Sequence, residues 1–325
     1  MNEIRFLHKY KKKWDEFEKL LGQGYTANPD KVSDLFINLT DDLSYARTYF
    51  HNTKTTEYLN QLTQKAHRII YQNQPIKKKR IFDFWFIDFP LIVYSSRKQL
   101  TISFIIFFIS ALIGFVSNRY DPEFVRIILG DSYVNMTLAN IEKGDAMAVY
   151  KSMNQINMFL GISINNIYIS FLAFICGTFT SLGTGYILLK NGIMLGTFQG
   201  FLAQKGMLTE SLSTIWIHGT LEIFSIIVAG AAGIVIGNSI VFPGSYTRTQ
   251  SFRKGAIKGT KMVLGLIPVF IFAAFLEGFV TRYTNAPYVV KYSIIGLSIL
   301  FIIWYFFIYP KKIIHKNQNY GDTIY

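Results

Sequence analysis

The chain has 325 residues, 50 % of them hydrophobic and only 16 % charged, with 29 Phe, 20 Tyr and a formal net charge of +13. So many aromatic residues with so few charges point away from an ordinary soluble domain. The single cysteine, Cys176, excludes an intrachain disulfide, and its place in an apolar run gives it the role of a buried structural thiol.

Residues 1–74 read as a polar, helical, cytoplasmic docking domain. Phe6, Leu7, Tyr10, Trp14, Phe17, Leu20 and Leu21 recur at helical spacing, and Gly22 with Gly24 ends the run. Ser33 is placed to cap a second helix carrying Leu35, Phe36, Leu39 and Leu43. A third covers about 53–71, with Tyr58, Leu59, Leu62 and Ala66 on one face. Lys9, Lys11, Lys12 and Lys13 break up the first 21 residues, so no signal peptide is expected there.

Residues 75–97 open on Lys77-Lys78-Lys79-Arg80. The following stretch, 81–94, is apolar and aromatic but interrupted by Asp83, Asp88 and Pro90. That pattern predicts an amphipathic helix lying in the membrane interface, not a crossing.

Residues 98–309 carry apolar runs long enough to match a bilayer at about 1.5 Å per residue. Six crossings fit, at about 98–117, 164–189, 191–205, 214–241, 261–281 and 290–309. The third is short for a span, and a re-entrant hairpin is its alternative. Parity favours a crossing, because Lys190 and the 242–261 loop should lie on one side. The fold class is therefore all-α, a polytopic helical membrane bundle with an N-terminal helical domain, an interfacial helix and a 310–325 tail.

Charge sets the orientation. The stretch 242–261 holds five basic residues, from Arg248 to Lys261, and no acidic one, and Arg97-Lys98 and Lys311-Lys312 flank other spans. Residues 118–163 carry four basic against five acidic residues. The positive-inside rule puts the basic segments and both termini in the cytoplasm and the 118–163 loop outside. Because the basic clusters flank apolar spans, nucleic acid is not expected as a partner. In the loop, Asp121, Asp131 and Asp145 each open a run closed by Gly130, Gly144 and Gly161, the grammar of three short helices. Phe124 and Ile127, then Met147, Val149, Tyr150 and Met153, would face the membrane or roof the bundle.

Small residues predict close packing. Gly192, Gly196 and Gly200 recur every four residues beside Asn191, and Gly233 with Gly237 repeats the spacing. Bundle packing is the ordinary role, and such faces also permit a homodimer. Asn191, beside Lys190, is expected at the cytoplasmic end of its span.

Three ionisable residues break the apolar pattern. His218 and Glu222, at i and i+4, share one face of the fourth span, and Glu277 lies near the end of the fifth. If the fourth span starts at about Thr214, Glu222 is roughly 12 Å down its axis and Glu277 roughly 6 Å from the same membrane face. A His–Glu–Glu cluster between antiparallel helices is the natural arrangement. It is either a polar clasp or a site for a cation, a proton or a polar headgroup. A zinc site is the least favoured reading, because no H-E-x-x-H signature accompanies the three residues. No phosphate loop or nucleophile elbow appears, so no catalytic residue and no cofactor are expected.

On these residues the chain resembles the stage II sporulation protein M family of integral membrane proteins. The resemblance is carried by Lys190-Asn191-Gly192 with Gly196, by His218-Gly219-Thr220-Leu221-Glu222, and by Ala229-Gly230-Ala231-Ala232-Gly233. Pro243-Gly244 with Arg248, and Leu276-Glu277-Gly278-Phe279, extend it. The segments Asp42-Leu43-Ser44-Tyr45-Ala46-Arg47 and Ala66-His67-Arg68-Ile69-Ile70-Tyr71 resemble the larger bacterial members. One departure is Trp216-Ile217, where members often carry a proline before the histidine. The resemblance implies a bacterial cytoplasmic (inner) membrane and no established enzymatic activity. It also implies partners among cell-wall hydrolases, AAA+ ATPases and von Willebrand A-type domain proteins. The expectation is a transport-like or lipid- or ion-binding membrane component with a site at His218, Glu222 and Glu277. The alternatives are a scaffold that recruits partners through residues 1–74 and, last, an intramembrane metalloenzyme.

Overall fold

The computed structural model describes residues 2–22, 29–51, 53–71, 78–145, 147–148, 154–284 and 286–319. They form two compact units, Met1–Ile81 and Phe82–Tyr325.

The first unit is a three-helix assembly: α1 (Glu3–Gly22), α2 (Pro29–Tyr49) and α3 (Lys54–Tyr71). Phe6, Trp14, Phe17 and Leu21 of α1 meet Leu39, Leu43 and Ala46 of α2 and Leu59, Leu62 and Ala66 of α3 in one core. Asp42 is buried beside that core and accepts from Trp14 Nε1 and Lys13 Nζ, each at 2.9 Å. The predicted helix end at Gly22 agrees, while Gly24 lies outside the described residues. Ser33 is inside α2 and not its cap, because the helix already starts at Pro29. Proline is favoured in a first turn, where its missing N–H costs nothing.

Helix α4 (Lys78–Asp83), in which the division between the units falls, passes through a π-helical turn, Phe84–Asp88, into α5 (Phe89–Ser95). Phe89 and Val93 are fully buried in the bundle core, so the predicted interfacial segment is packed on the spans. Trp85 Nε1 donates to the Gly265 carbonyl at 3.2 Å, close to the helix disturbance at Pro268, and Tyr305 donates its hydroxyl to the Trp85 carbonyl.

Among the described residues, five helical segments are long and apolar enough to cross a membrane. They are Arg97–Tyr120, Gln155–Gln204, Leu208–Val241, Arg248–Val280 and Tyr288–His315. The 50-residue segment is divided by a 3₁₀ turn, Gly177–Phe179, into α9 (Gln155–Cys176) and α10 (Thr180–Gln204). Thr184 Oγ1 reaches the Ala173 carbonyl at 2.8 Å. In one straight helix those residues would be roughly 16 Å apart along the axis, so the chain folds back. Six membrane-length helices result.

The predicted spans 164–189 and 191–205 are therefore wrong in their division. The break falls at 177–179, and the weak third span is the second half of α10. Continuous apolar sequence hides this turn, and Lys190 gave a false boundary. Lys190 and Asn191 sit in the middle of α10, not at a helix end, and Asn191 Nδ2 donates to the Ile187 carbonyl of its own helix at 2.8 Å.

The other boundaries also move outward. α6 is Arg97–Tyr120 and α11 is Leu208–Val241. α12 (Arg248–Phe275) starts well before residue 261, on a capping box between Thr247 and Gln250, and ends in a π-helical turn, Leu276–Val280. α13 (Tyr288–Ile303) continues through the π-helical turn Trp304–Ile308 into α14 (Tyr309–Asn319), so much of the predicted tail is helical. Residues 320–325 lie outside the described residues.

α11 is the central helix and touches α6, α9, α10, α12 and α13. α6 and α10 run parallel at very close approach. Gly192 lies on Phe107 and Ser110, Gly196 on Ala111, and Gly200 on Phe115 and Asn118. The predicted small-residue face is thus filled from within the chain and supports no homodimer. Gly233 and Gly237 take Thr184 and Ser181 of α10 against α11. Small residues suit this role because lipid gives apolar helices no reason to associate except close contact.

Two loop helices, α7 (Phe124–Leu129) and α8 (Asp131–Glu142), roof the end of the bundle reached by α6, α10 and α12. Val125 and Val134 join Met147, Met158, Phe201, Leu202 and Ile215 in a separate core there. Gly130 has φ 84° at the junction of the two helices, a conformation that favours glycine. The third predicted loop helix does not form as read. Gly161 is inside α9, which starts at the N-cap Asn154, and Val149, Tyr150 and Met153 lie outside the described residues.

Candidate functional site

Two helices bring three ionisable side chains to one buried place near the roofed end. His218 and Glu222 come from α11, and Glu277 comes from the π-helical turn that closes α12. One ligand-type atom from each residue can be chosen so that all three lie within 4.8 Å of one another. The sequence-predicted cluster is therefore assembled. It lies deeper in α11 than the sequence implies, with Glu222 roughly 21 Å from the helix start, because that helix begins at Leu208 and not at Thr214.

The geometry orients the imidazole. His218 Nδ1 lies 3.1 Å from Thr281 Oγ1, and Thr281 Oγ1 donates to the Leu276 carbonyl at 3.2 Å. A hydroxyl has one hydrogen, so when Thr281 donates to Leu276 it accepts from Nδ1, and that tautomer leaves the lone pair on Nε2. Nε2 then faces Glu277 Oε2 at 3.6 Å. The π-helical turn makes this possible: its wider ring brings both the Thr281 amide and its hydroxyl to the Leu276 carbonyl.

The site is shut off from solvent, with side-chain exposures of 5 % for His218 and 13 % for Glu277. Asn166 of α9 lies against Glu222 and is 4 % exposed. The buried stripe of α9 is polar at Ser163, Asn166 and Ser170, while its exposed side carries Leu160, Ile164 and Tyr168. Ser163 Oγ, Asn166 Nδ2, Ser170 Oγ and, from α11, Ser225 Oγ are buried with no close hydrogen-bond partner among the described residues. A helix that is polar inside and apolar outside faces a polar interior, which points to water or a ligand within the seam.

Two further groups stand near the roofed end. Tyr133 of α8 has its phenol pushed up to about 12, by burial and then by the charge of Glu277. It is a neutral hydrogen-bond donor at any physiological pH. Lys291 of α13 is 3 % exposed and donates to Thr214 Oγ1 at 3.1 Å and to the Thr284 carbonyl at 2.7 Å. Thr214 is one turn before His218, so a buried cation lies one helical step from the cluster.

Sequence reasoning missed Asn166, Thr281, Tyr133 and Lys291. The 163–166–170 spacing of Ser, Asn and Ser in an apolar helix was a readable signal for the first. Thr281 and Tyr133 carry none, since their roles come from a π turn and a loop docking. Asn191 is not brought to the site, nor are Gly192, Gly196 and Gly200. Chemically, the cluster can ligate a cation, hold protons or accept hydrogen bonds in an interior of low dielectric.

Comparison with known protein families gives two matches. A family described as stage II sporulation protein M matches residues 103–282, which include all three cluster residues and Thr281. A family described as a domain of unknown function matches residues 4–72, close to the span of α1, α2 and α3. No curated protein and no solved structure matches the chain.

Proposed function

The chain belongs to the stage II sporulation protein M family, and from that premise we propose that it is a transport-like, ion-binding component of an envelope-associated membrane complex. The observation that carries this reading is the convergence of His218, Glu222 and Glu277 in a helix-enclosed polar seam. A charge in the hydrocarbon region costs about 2.5–3.5 kcal/mol on insertion scales, so two carboxylates are kept there only against a compensating ligand. The role assigned is binding, not catalysis.

The basic ends of α6 and α12, with Arg97, Arg248 and Arg253, support placing that face in the cytoplasm of a bacterial inner membrane. The site then lies in the outer half under the loop roof. In a deletion strain, Glu222→Gln and Glu277→Gln should insert at wild-type levels yet fail to restore the phenotype. Full complementation by both variants would end this reading.

A scaffold role is supported by a different observation, the separate core of residues 1–81 with Ile4, Ile37 and Tyr49 exposed on it. That reading places cell-wall hydrolases or AAA+ ATPases and von Willebrand A-type proteins as partners. Removing residues 1–81 should then lose co-purifying proteins while the membrane unit persists. An unchanged set of partners would argue for the site alone.

A further inference from the structure

We propose that the cluster is a divalent metal site of the zinc class, with His218 Nε2, Glu222 and Glu277 as the protein ligands. This rests on the ion-binding reading above and names its ion. Charge comes first. Deprotonated as metal ligands, two carboxylates and a neutral imidazole carry two negative charges, which one divalent cation cancels and one monovalent cation does not.

Geometry agrees with a metal. With Thr281 accepting from Nδ1, the lone pair is on Nε2, 3.6 Å from Glu277 Oε2. That spacing leaves room for a cation held by both atoms in place of a shared proton. Metal–ligand bonds of about 2.0–2.2 Å in a tetrahedron set its edge at about 3.4 Å, close to the observed spacing. The widest spacing in the cluster, up to 4.8 Å, closes by rotation of a glutamate side chain. Thr281 occupies the place of the outer partner that ligating histidines ordinarily have on their second nitrogen.

Asn166 supplies an independent pointer. Its buried Nδ2 makes no close hydrogen bond among the described residues and has Glu222 beside it as its acceptor. It can hold the non-ligating glutamate oxygen or a metal-bound water in the open fourth position. The donor set selects among metals as well. One imidazole with two carboxylates suits zinc and its first-row neighbours. No thiolate takes part, and Ca²⁺ asks for six to eight oxygens.

The test uses full-length protein in lipid nanodiscs, stripped with a chelator and then equilibrated with Zn²⁺ or Co²⁺. Expected are one metal per chain and, for Co²⁺, the visible bands of a four-coordinate nitrogen–oxygen site, with no competition from excess Ca²⁺. His218→Gln and Glu277→Gln should abolish both. Thr281→Val should weaken metal affinity about 10–100-fold, as loss of an outer partner does, and Thr281→Ser should restore it. The Co²⁺ spectrum of the unaltered protein needs no variant to fold.

Absence of metal from that protein would overturn the proposal, as would equal metal content in wild type and a His218→Gln/Glu277→Gln double variant. Inactive Glu→Gln variants in a protein that binds no metal would leave the ion-binding role standing with protons as the ligand. Active variants in a protein that binds zinc would sink the role and keep the site.

Discussion

Gly196→Ala should loosen the bundle at one defined seam. A Cβ at position 196 would overlap the Ala111 carbonyl and lie 2.9 Å from Ala111 Cα, where ordinary contact begins at 3.4 Å. Both obstacles are backbone, so no side chain can swing aside. The carbonyl overlap means that α6 and α10 must separate by more than about 1 Å there, and a gap of about 0.5–1 Å already forfeits a quarter to a half of each dispersion contact it opens. Overpacking of this kind costs about 1–3 kcal/mol, and a unit of this size loses about 2–4 °C per kcal/mol. Thermal unfolding of the detergent-solubilised protein should therefore shift down by roughly 2–12 °C. Gly185→Ala, on the same helix, and Gly296→Ala, on α13, meet nothing within 4 Å and should leave the midpoint unchanged or raise it. If Gly196→Ala melts with Gly185→Ala, α6 and α10 do not touch as described.

Three other outcomes follow from single contacts. Asp42→Ala leaves Trp14 Nε1 buried without its acceptor, a loss of about 1–3 kcal/mol, whereas Asp42→Asn keeps the acceptor; limited proteolysis of the full chain should cut residues 1–81 faster only in the first. Thr180 opens α10 at φ 61°, so Thr180→Gly should be neutral or stabilising by about 1 kcal/mol in denaturant unfolding, and a destabilised variant would deny the strained turn. Tyr133 is raised from 10.0 to about 12 by burial and by Glu277. Its folded value exceeds its unfolded one, so its contribution to stability is complete below pH 10 and is lost as the pH rises from 10 to 12. Glu277→Gln should lower that titration, read by NMR of ring-labelled tyrosine; an unmoved titration would separate α8 from the site.

What could be read in advance was whatever rests on composition and period. The three N-terminal helices, the apolar spans and the His218–Glu222–Glu277 grouping all follow from spacing and from the cost of charge in lipid. The hairpin at 177–179 could not be read, because Cys176-Gly177-Thr178-Phe179 is as apolar as a span interior and its turn is held by Gly177 on α11 and Thr184 on α9. The same limit explains Asn191, whose neighbour Lys190 resembles a membrane boundary only when α10 is not yet known to continue past it. Thr281 and Asn166 belong to the site through contacts between helices, and no single-chain pattern contains those.

The magnitudes decide between a clasp and a site. Interhelical hydrogen bonds within membranes return about 0.6 kcal/mol on average and at most about 1.7. Each uncompensated carboxylate costs about 2.5–3.5 kcal/mol at the helix centre. A clasp could be built from hydroxyls alone, as Ser103 does by donating to the Ile227 carbonyl at 2.7 Å between α6 and α11. The same bundle thus fastens helices by small residues and hydroxyls in one place and spends two glutamates in another. The second arrangement returns less stability than it costs, unless something positive binds between His218, Glu222 and Glu277.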